Sequence, residues 1–370
     1  MNIAIISPSQ NAYSETFIQA HKNYLDGNIF YYYGDLKKIR LEGKGSINKN
    51  SKVLFYKLKR ELFMKKYSWY YNQLLIDSLK ENKINVVLAE YGTTAEMYLE
   101  SIKELNIPLI IHFHGYDASK KQIIKANNNY RKSFDYASYV IAVSKKMYQD
   151  LLAIGCPERK LKLNTYGPNP KFYEVNPLFG NEQFIAVGRF VNKKAPYYLL
   201  LSFAEVIKEF PNAQLIIAGK GELWDTCKNL SVALGLEQNV SLPGIISPEQ
   251  FQEYLSESMA FVQHSVIAED GDSEGTPVAI LEACAAGLPI ISTYHAGIPD
   301  VVIDSYNGFL IKEHDYKAMA NKIKHILSAK DLAISMGENS RKRIQDNFSL
   351  EKHINCLNNL IESSLQKNKL

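Results

Sequence analysis

Residues Ser273 to Glu282 read Ser-Glu-Gly-Thr-Pro-Val-Ala-Ile-Leu-Glu and place two carboxylates eight positions apart. Proline suits the first turn of a helix, where its missing N–H has no intrahelical partner to lose. We therefore predict that Gly275 to Pro277 open a helix whose free N–H groups can bind an anion. On a helix, eight residues span about 12 Å. Glu274 and Glu282 would thus grip one elongated ligand, rich in hydroxyls and phosphate, at two places. A helix that merely carries a solvated Glu is the alternative.

Length and composition describe an ordinary globular protein. The chain has 370 residues, enough for two domains, and is 46% apolar and 22% charged. No signal peptide is predicted at the start, and no apolar run reaches the length of about 18 residues that a membrane span requires. The cysteines form no CxxC pair, so neither a disulfide framework nor a zinc site is indicated, and a cytoplasmic location is expected. They are Cys156, Cys227, Cys284 and Cys356.

The charge is distributed unevenly. Residues 1–180 hold 26 Lys and Arg against 16 Asp and Glu, and the rest of the chain holds 17 against 23. Within residues 52–71, aromatic side chains alternate with positive charges, a pattern typical of a helix that lies on an anionic membrane surface. A core-packed helix with a solvated basic face fits the pattern equally well. The basic residues are Lys57, Lys59, Arg60, Lys65 and Lys66.

Short apolar strands alternate with amphipathic helices in both halves of the chain. This rhythm predicts an α/β protein with two doubly wound parallel sheets. The sequence Gly167-Pro-Asn-Pro170 is the best linker, and Ser349 is a good N-cap for the last helix. Doubly wound domains bind ligands at the carboxyl ends of their strands, so we expect the site in the cleft between the domains.

A second motif runs from Gly188 to Pro196 and follows a predicted strand. It brings Arg189 and Lys194 to the carboxyl end of that strand. Arg189 can form two parallel hydrogen bonds to one group, and Lys194 adds a compact positive charge. This pair suits a diphosphate. The alternative is a loop whose charges only increase solubility.

The stretch His112-Phe-His-Gly-Tyr-Asp117 ends another predicted strand. Strand alternation directs His112 and His114 to the same side. A His-x-His pair resembles half of a metal site, but no third ligand follows at a suitable spacing, so we predict no metal there. A histidine satisfied within the core is the simpler interpretation.

Two further patterns resemble known ligand-binding motifs, but neither predicts that ligand here. Asp270-Gly-Asp272 can hold a divalent cation on a diphosphate, yet Arg189 and Lys194 could neutralise one by themselves, so no metal cofactor is expected. Gly219-Lys-Gly221 begins a dinucleotide fingerprint, but Trp224 occupies the third glycine position. The sequence therefore does not favour a dinucleotide enzyme.

Taken together, the motifs resemble those of the retaining GT-B glycosyltransferases of family 4. The resemblance covers nearly the whole chain and is most specific in residues 184–311. It looks closest to the exopolysaccharide (colanic-acid type), capsule and O-antigen subgroup. The segments that carry it are Glu274-Gly-Thr-Pro…Glu282, Gly188-Arg-Phe…Lys194, His114-Gly-Tyr-Asp117, Gly219-x-Gly221, Ser14-Glu-Thr-Phe17 and His112-Phe-His-Gly115.

The resemblance implies a GT-B fold of two Rossmann-like domains that face a cleft. Residues 1–170 would form the acceptor-side domain and residues 171–347 the nucleotide-sugar-binding domain. A helix in residues 348–370 would pack back on the N-terminal domain. Two departures from the family pattern stand out: Ser9-Gln10-Asn11 replaces a common Gly-Gly loop, and Ala195 replaces a glycine.

The resemblance also implies roles for individual residues. Arg189 and Lys194 would hold the donor diphosphate and stabilise the leaving group, Glu274 would contact the donor sugar, Glu282 would accept a hydrogen bond from the ribose, and His114 would lie near the sugar's primary hydroxyl. Of these, Glu274, His114, Arg189 and Lys194 would be catalytic. The other donor-binding residues would be Gly188, Gly219, Gly221, Gly244, Gly275, Thr276, Pro277 and Val278.

The expected reaction moves a sugar from a nucleotide-sugar donor, with retention, to a saccharide acceptor carried on a lipid, in surface polysaccharide biosynthesis. No cofactor, divalent metal or nucleic-acid partner is expected, and the protein would be cytoplasmic, with peripheral contact to the inner face of the membrane through residues 52–71. Two alternatives stay open: a GT-B-fold nucleotide-sugar epimerase, and a non-catalytic subunit that binds sugar nucleotides or glycans.

Overall fold

The computed structural model describes residues 1–10, 13, 15–47 and 52–367. Ser14 of the Ser14-Glu-Thr-Phe17 motif and Asn11 of the Ser9-Gln10-Asn11 loop lie outside the described residues. The chain forms two compact units: the N-terminal unit (Met1–Asn164 and Ile354–Leu370) and the C-terminal unit (Thr165–His353). From the sequence we had placed these boundaries at residues 170 and 347. The linker belongs to the C-terminal unit because Gly167 packs on the backbone of Leu350, where a Cβ on the glycine would lie 2.2 Å from the Leu350 nitrogen.

Among the described residues, the N-terminal unit has eight strands: β1 (Asn2–Ser7), β2 (Asn28–Tyr33), β3 (Arg40–Leu41), β4 (Gly45–Ser46), β5 (Val86–Glu90), β6 (Leu109–His112), β7 (Tyr139–Ala142) and β8 (Leu161–Leu163). They form one sheet in the order β4-β3-β2-β1-β5-β6-β7-β8. All neighbours from β2 to β8 pair in parallel, whereas β3 pairs antiparallel with both β2 and β4. Strands β5, β6 and β7 are buried along their whole length, which explains their nearly continuous apolar sequences.

The helices of this unit alternate with most of its strands along the chain, as expected for a doubly wound topology. They are α1 (Thr16–Tyr24), α2 (Lys52–Leu62), α3 (Ser68–Glu81), α4 (Gly92–Glu104), α5 (Tyr116–Ser119), α6 (Lys121–Ala126), α7 (Arg131–Tyr136) and α8 (Lys145–Ala153).

The C-terminal unit repeats the architecture with an all-parallel sheet. In the order β11-β10-β9-β12-β13-β14, its six strands are β9 (Gln183–Val187), β10 (Gln214–Ala218), β11 (Val240–Gly244), β12 (Ala260–Gln263), β13 (Ile290–Thr293) and β14 (Gly308–Ile311). Its helices are α9 (Pro196–Val206), α10 (Trp224–Ala233), α11 (Pro248–Glu257), α12 (Val278–Ala286), α13 (Ile298–Val301), α14 (Tyr316–Ser328) and α15 (Lys330–Asn347). The predicted pair of doubly wound, Rossmann-like sheets is thus confirmed.

The last helix, α16 (Leu350–Lys367), links the two units. Its predicted cap is confirmed, since the Ser349 hydroxyl accepts a hydrogen bond from the Lys352 N–H at 3.2 Å. From Ile354 onward it belongs to the N-terminal unit, where Asn358 forms two hydrogen bonds with Asp26. The Asn358 amide accepts from the Asp26 N–H at 3.1 Å and donates to the Asp26 carboxylate at 2.7 Å.

Residues 52–71 form two helices that behave differently. α3 buries several apolar side chains, as a core-packed helix does, whereas no residue of α2 is buried. Most of the basic residues of α2 are exposed, as are Leu54, Phe55, Leu58 and Leu62, so the core-packed alternative fails for this helix. No helix among the described residues is both long and apolar enough to cross a bilayer.

The Asn358–Asp26 contact yields a stability prediction. Replacing Asn358 with Ala removes both hydrogen bonds, so we expect the variant to lose about 1–2 kcal/mol of unfolding free energy in urea denaturation. The exposed neighbour Asn359 provides the matched control, because Asn359→Ala leaves both bonds intact. Equal urea midpoints for the two variants would contradict this account of how α16 is held.

Candidate functional site

Glycines line the carboxyl edge of the C-terminal sheet where three strands end. The Gly188 N–H donates to the Ala218 carbonyl at 3.0 Å, and the Gly219 N–H donates to the Gly244 carbonyl at 2.7 Å. Gly219 has a φ of +136°, and a Cβ on it would lie 1.9 Å from the Gly188 carbonyl oxygen. Only glycine fits there. The loops that follow these strands therefore pack backbone against backbone, too closely for a side chain at Gly219.

Gly221 has a similar role one step further along the loop. A Cβ on it would lie 2.4 Å from the Phe190 carbonyl oxygen, and the Phe190 N–H donates to the Lys220 carbonyl at 3.0 Å. The loops after β9 and β10 are thus joined through their backbones. This brings the two predicted glycine motifs, Gly188 and Gly219-x-Gly221, together in space.

Lys194 and Glu274 meet in this unit although they are 80 positions apart in the sequence. The Lys194 ammonium lies 3.4 Å from Oε2 of Glu274 and donates to the Gln263 amide oxygen at 3.3 Å. The side chains are only 16% and 9% exposed. The phosphate-side and sugar-side residues predicted from separate motifs are therefore in direct contact.

The electrostatics of this pair keep Glu274 ionised. Burial opposes the negative charge, but the ammonium groups of Lys194 and Lys193 outweigh it and lower the pKa of Glu274 to about 2. Burial in turn lowers the pKa of Lys194, and the Glu274 carboxylate offsets part of that effect. Oε1 of Glu274 is buried and has no hydrogen-bond partner among the described residues. One carboxylate oxygen therefore has unused capacity to accept a hydrogen bond.

Lys193 accounts for the acidic cluster that precedes Glu274. Its ammonium pairs with Oδ1 of Asp272 at 3.0 Å and donates to the Ser273 carbonyl at 3.2 Å. The carboxylate of Asp270 accepts from the Asp272 N–H at 3.0 Å, which closes a turn. The charge of Asp272 is thus matched by a lysine, and Asp-x-Asp shapes the loop that leads to Glu274.

The backbone at Glu274 is held by two residues that the sequence did not single out. Its N–H donates to Nε2 of His295 at 3.1 Å, while Nδ1 of His295 lies 2.7 Å from the Glu313 carboxylate. Since Nε2 accepts, the ring proton must be on Nδ1 and point at Glu313. The Gly297 N–H also donates to the Gly275 carbonyl at 2.9 Å. In the sequence, only the positions of His295 and Glu313, just after β13 and β14, could have indicated this role.

The predicted helix begins slightly later than expected. Pro277 is the N-cap residue, with extended backbone (φ −65°, ψ 118°), and α12 starts at Val278. Glu282 is therefore the fifth helical residue, just over one turn into the helix. Gly275, Thr276 and Pro277 are buried in the turn before it.

Glu282 and Arg189 have contrasting environments. Glu282 is 9% exposed, and burial raises the pKa of its carboxyl from 4.5 to about 8. Arg189 is exposed, and its guanidinium forms no hydrogen bond or ion pair within the described part of the chain. A cation that is not neutralised internally can bind a ligand's phosphate.

His114 belongs to the N-terminal unit and is almost fully buried. Its Nε2 lies 2.8 Å from Oε2 of Glu90, and its N–H donates to the carboxylate of Asp117 at 3.1 Å. His112 lies on the same side, as predicted, with Nδ1 at 3.6 Å from Glu90. No third ligand was predicted from the spacing in the sequence, whereas the fold brings Glu90 and His21 close to His112. They come from β5 and α1, so no spacing in the sequence could show it.

Comparisons with known proteins agree with this architecture. The family profile described as "Glycosyl transferases group 1" matches residues 173–343, and the profile "Glycosyltransferase Family 4" matches residues 49–164. This chain belongs to the family 4 glycosyltransferases. The family contains enzymes that transfer glycosyl groups.

Individual relatives are distant. The amylovoran biosynthesis glycosyltransferase AmsK of Erwinia amylovora is 29% identical over 64% of this chain and 60% of its own length. The putative colanic acid biosynthesis glycosyltransferase WcaL of Escherichia coli K12 is 26% identical over 72% of this chain and 68% of its own length. The match to the first of these therefore spans less than two thirds of that protein.

Solved structures share the fold. Anabaena HepE, crystallised with UDP, superposes with a TM-score of 0.76 at 17% identity and covers 99% of this chain and 100% of its own. Sucrose-phosphate synthase from Thermosynechococcus elongatus gives a TM-score of 0.77 at 17% identity over 99% and 100% of the two chains. The two Rossmann-like units thus make a GT-B glycosyltransferase fold.

Glu282 provides a test of the electrostatics at this site. Because its pKa is raised to about 8, the folded chain keeps a proton that the unfolded chain releases near 4.5. The folded state then loses stability as the pH rises from about 5 to 8, by up to about 1.4 kcal/mol per pH unit. We expect Glu282→Gln to gain stability relative to the unsubstituted protein over that range, measured as unfolding midpoints against pH.

The exposed Glu253 on α11 gives the matched control, since Glu253→Gln should produce a difference that does not change with pH. A constant difference for Glu282→Gln as well would mean that its carboxyl titrates normally.

Proposed function

We propose that this chain transfers a sugar from a nucleotide-sugar donor to a saccharide acceptor carried on a lipid, with retention of the anomeric configuration, in surface polysaccharide biosynthesis. The observation that carries the proposal is the buried Lys194–Glu274 pair, which leaves Oε1 of Glu274 without a hydrogen-bond partner among the described residues. A buried, ionised acceptor of this kind suits a sugar hydroxyl. If Glu274 were only a solvated surface residue, neither its burial nor its pairing with Lys194 would be expected.

The diphosphate would be bound by charge and by backbone. Arg189 offers a guanidinium without a hydrogen bond or ion pair among the described residues, and Lys194 offers an ammonium with three donors, of which the described contacts use two. The N–H groups around Val278, at the start of α12, add the positive end of a helix. These groups supply the positive charge that a divalent metal often supplies to a nucleotide diphosphate, so the proposal includes no metal.

In the proposed reaction, the bond between the anomeric carbon and the donor phosphate oxygen breaks. The acceptor hydroxyl oxygen forms its bond to that carbon on the same face, and its proton passes to the departing phosphate oxygen. Arg189 and Lys194 would stabilise the leaving diphosphate, and Glu274 and His114 would hold hydroxyls of the reacting sugar. Catalysis would come mainly from positioning and charge stabilisation.

Relatives support the choice of donor and acceptor. HepE has been crystallised with UDP-glucose, which makes UDP-sugars the first donors to test. AmsK and WcaL are named for amylovoran and colanic acid, both surface polysaccharides, which supports an acceptor in that class.

A lipid-linked acceptor is supported by the surface of α2 and the turn that follows. Large apolar side chains are exposed here, with Leu62 77% and Met64 93% accessible. The basic residues of the segment border this apolar surface, and Lys57 and Arg60 lie over the rings of Tyr70 and Tyr67. Exposed apolar residues flanked by cations are typical of contact with an anionic bilayer. The exposed set is Leu54, Phe55, Leu58, Leu62, Phe63, Met64 and Tyr67.

The donor site is tested by calorimetry with UDP-, GDP- and dTDP-sugars. We expect one class to bind, and we expect Lys194→Ala and Glu274→Gln to weaken it at least tenfold, since each removes a charged hydrogen bond worth about 1.5–3 kcal/mol. Lys228→Ala, at an exposed position of α10, should bind as the unsubstituted protein does.

Several results would reject the proposal or part of it. Absence of binding by every nucleotide sugar, or unaltered binding by both site variants, removes the donor site. Release of an epimerised sugar without an acceptor identifies an epimerase, and binding without any turnover identifies a non-catalytic subunit. Activity that is lost in EDTA and restored by Mg²⁺ or Mn²⁺ would overturn the metal-free site.

Membrane contact is tested by vesicle flotation. We expect the chain to float with phosphatidylcholine vesicles that contain phosphatidylglycerol. Replacing Lys57, Lys59, Arg60, Lys65 and Lys66 with Gln should reduce binding by roughly tenfold or more, because each such charge contributes about 1 kcal/mol near an anionic surface. A control with the same number of exposed lysines replaced in the C-terminal unit should still float: Lys208, Lys228, Lys312, Lys317 and Lys342. Equal flotation of both variants would contradict the contact.

A further inference from the structure

Residues 266–274, all of which the structure describes, form the loop that carries Glu274 between β12 and α12. No helix or strand falls within these residues. An irregular loop keeps a defined shape only where hydrogen bonds and packing hold it. The position of the Glu274 carboxylate therefore depends on the contacts of this segment, which we call the Glu274 loop.

One side of the Glu274 loop contacts Lys193, which lies in the segment after β9. The Lys193 carbonyl accepts from the Val266 N–H at 2.9 Å, at the beginning of the loop. Its ammonium pairs with Asp272 at 3.0 Å and donates to the Ser273 carbonyl at 3.2 Å, near the end of the loop. Lys193 thus holds the acidic part of the loop.

The other side contacts a pair of side chains from the ends of two neighbouring strands. Oε2 of Glu313, just after β14, accepts from the Ile267 N–H at 2.9 Å. Oε1 of Glu313 lies 2.7 Å from Nδ1 of His295, whose Nε2 accepts from the Glu274 N–H at 3.1 Å. Glu313 therefore reaches the first limb of the loop directly and the second limb through the imidazole. We call this pair the His295–Glu313 clamp.

The two contacts of the imidazole require opposite chemistry. A backbone N–H only donates and a carboxylate only accepts, so Nε2 of His295 must offer a lone pair and Nδ1 must carry the proton. A neutral imidazole offers one of each. The His295 side chain is 1% exposed, which leaves little room for water to replace either contact. An apolar side chain would leave the Glu274 N–H without its acceptor and the Glu313 carboxylate without its donor.

The cations proposed to bind the diphosphate are held from other elements. Arg189 and Lys194 both follow β9, and Lys194 donates at 3.3 Å to the amide oxygen of Gln263, the last residue of β12. A shift of the Glu274 loop would therefore move the carboxylate that is proposed to bind the sugar, while these cations keep their places.

We propose that His295 and Glu313 are positioning residues: they clamp both limbs of the Glu274 loop and so hold the Glu274 carboxylate where it can bind the donor sugar. The inference rests on the proposed function, which assigns that sugar contact to Glu274. The clamp then contributes to the affinity for a nucleotide sugar but not to the affinity for the nucleoside diphosphate alone.

Hydrogen exchange followed by mass spectrometry tests the clamp without any substrate. In His295→Leu the Glu274 N–H loses its acceptor, so we expect peptides that cover residues 266–274 to exchange about tenfold faster or more than in the unsubstituted protein. Peptides from β10 should exchange as before, which separates local opening of the loop from unfolding of the unit.

Calorimetry tests whether the clamp serves the sugar. The probes are the nucleotide sugar that binds in the screen of UDP-, GDP- and dTDP-sugars, and the same UDP, GDP or dTDP without its sugar. We expect His295→Leu to weaken the nucleotide sugar about tenfold or more, because Glu274 loses the position in which it makes a charged hydrogen bond. The bare nucleoside diphosphate should bind within about twofold of the unsubstituted protein, which also shows that the variant is folded.

Further variants separate the hydrogen bonds from the bulk of the ring. Glutamine keeps a donor and an acceptor, so His295→Gln should bind the nucleotide sugar within about threefold of the unsubstituted protein. Adding His295→Leu to Glu274→Gln should cause no further loss, because both act through one carboxylate. His325→Leu, which replaces an exposed histidine of α14, is the matched control in both experiments and should change neither exchange nor binding.

Several results would overturn the positioning role. These are unchanged exchange of residues 266–274 in His295→Leu, equal weakening of both probes, and a loss that adds to that of Glu274→Gln. A His295→Gln variant as weak as His295→Leu would do the same, because it would assign the effect to the shape of the ring. If no nucleotide sugar binds the unsubstituted protein, the proposed function fails and the positioning role fails with it, even where hydrogen exchange shows that the clamp holds the loop.

Discussion

The ion pair of Lys194 and Glu274 joins the loop after β9 to the loop before α12, and the rest of the C-terminal site is arranged around it. Withdrawing two charges from water is costly unless other groups complete their hydrogen bonds. Here the Gln263 amide oxygen accepts a hydrogen bond from the Lys194 ammonium, and Nε2 of His295 accepts one from the backbone N–H of Glu274. Such a pair contributes little net stability, whereas it fixes a carboxylate at the edge of the sheet. Its presence is thus better explained by ligand binding than by folding.

Three buried glutamates show how the same side chain is adapted by its surroundings. Two lysine ammonium groups outweigh the burial of Glu274 and keep it ionised, while Glu282, with burial alone, has its pKa raised to about 8. Burial also raises the pKa of Glu90, but the N–H of His114 opposes that shift. The chain therefore has one ionised carboxylate, one carboxyl that is protonated near neutral pH, and one whose burial is only partly offset by a neighbouring histidine. None of these differences is visible in the identity of the residue.

Sequence patterns predicted what depends on local periodicity and on strand ends. The two doubly wound sheets followed from alternating apolar runs, and Arg189, Lys194 and Glu274 were predicted as site residues because each follows a strand or precedes a helix. Partners that converge from distant elements were missed: His21 and Glu90 reach His112 from α1 and β5, and His295 and Glu313 reach Glu274 from the ends of β13 and β14. The start of α12 was placed too early because Pro277 adopts extended backbone at the cap.

Helix α2 shows where folding requirements alone do not explain the sequence. It buries no residue, so the apolar side chains Leu54, Leu58 and Leu62 add little to the core of the N-terminal unit. Its links to α3 are polar or aromatic: Lys52 pairs with Asp77 at 3.0 Å, and the Tyr56 ring meets Trp69 edge-on. Those contacts would hold the helix equally well if its outer residues were polar. Exposed apolar side chains on a contiguous surface favour association with other molecules. Contact with a second apolar phase would remove this surface from water. Under the proposed function, an anionic bilayer would supply such a phase, and its lipid charge would attract the lysines beside it.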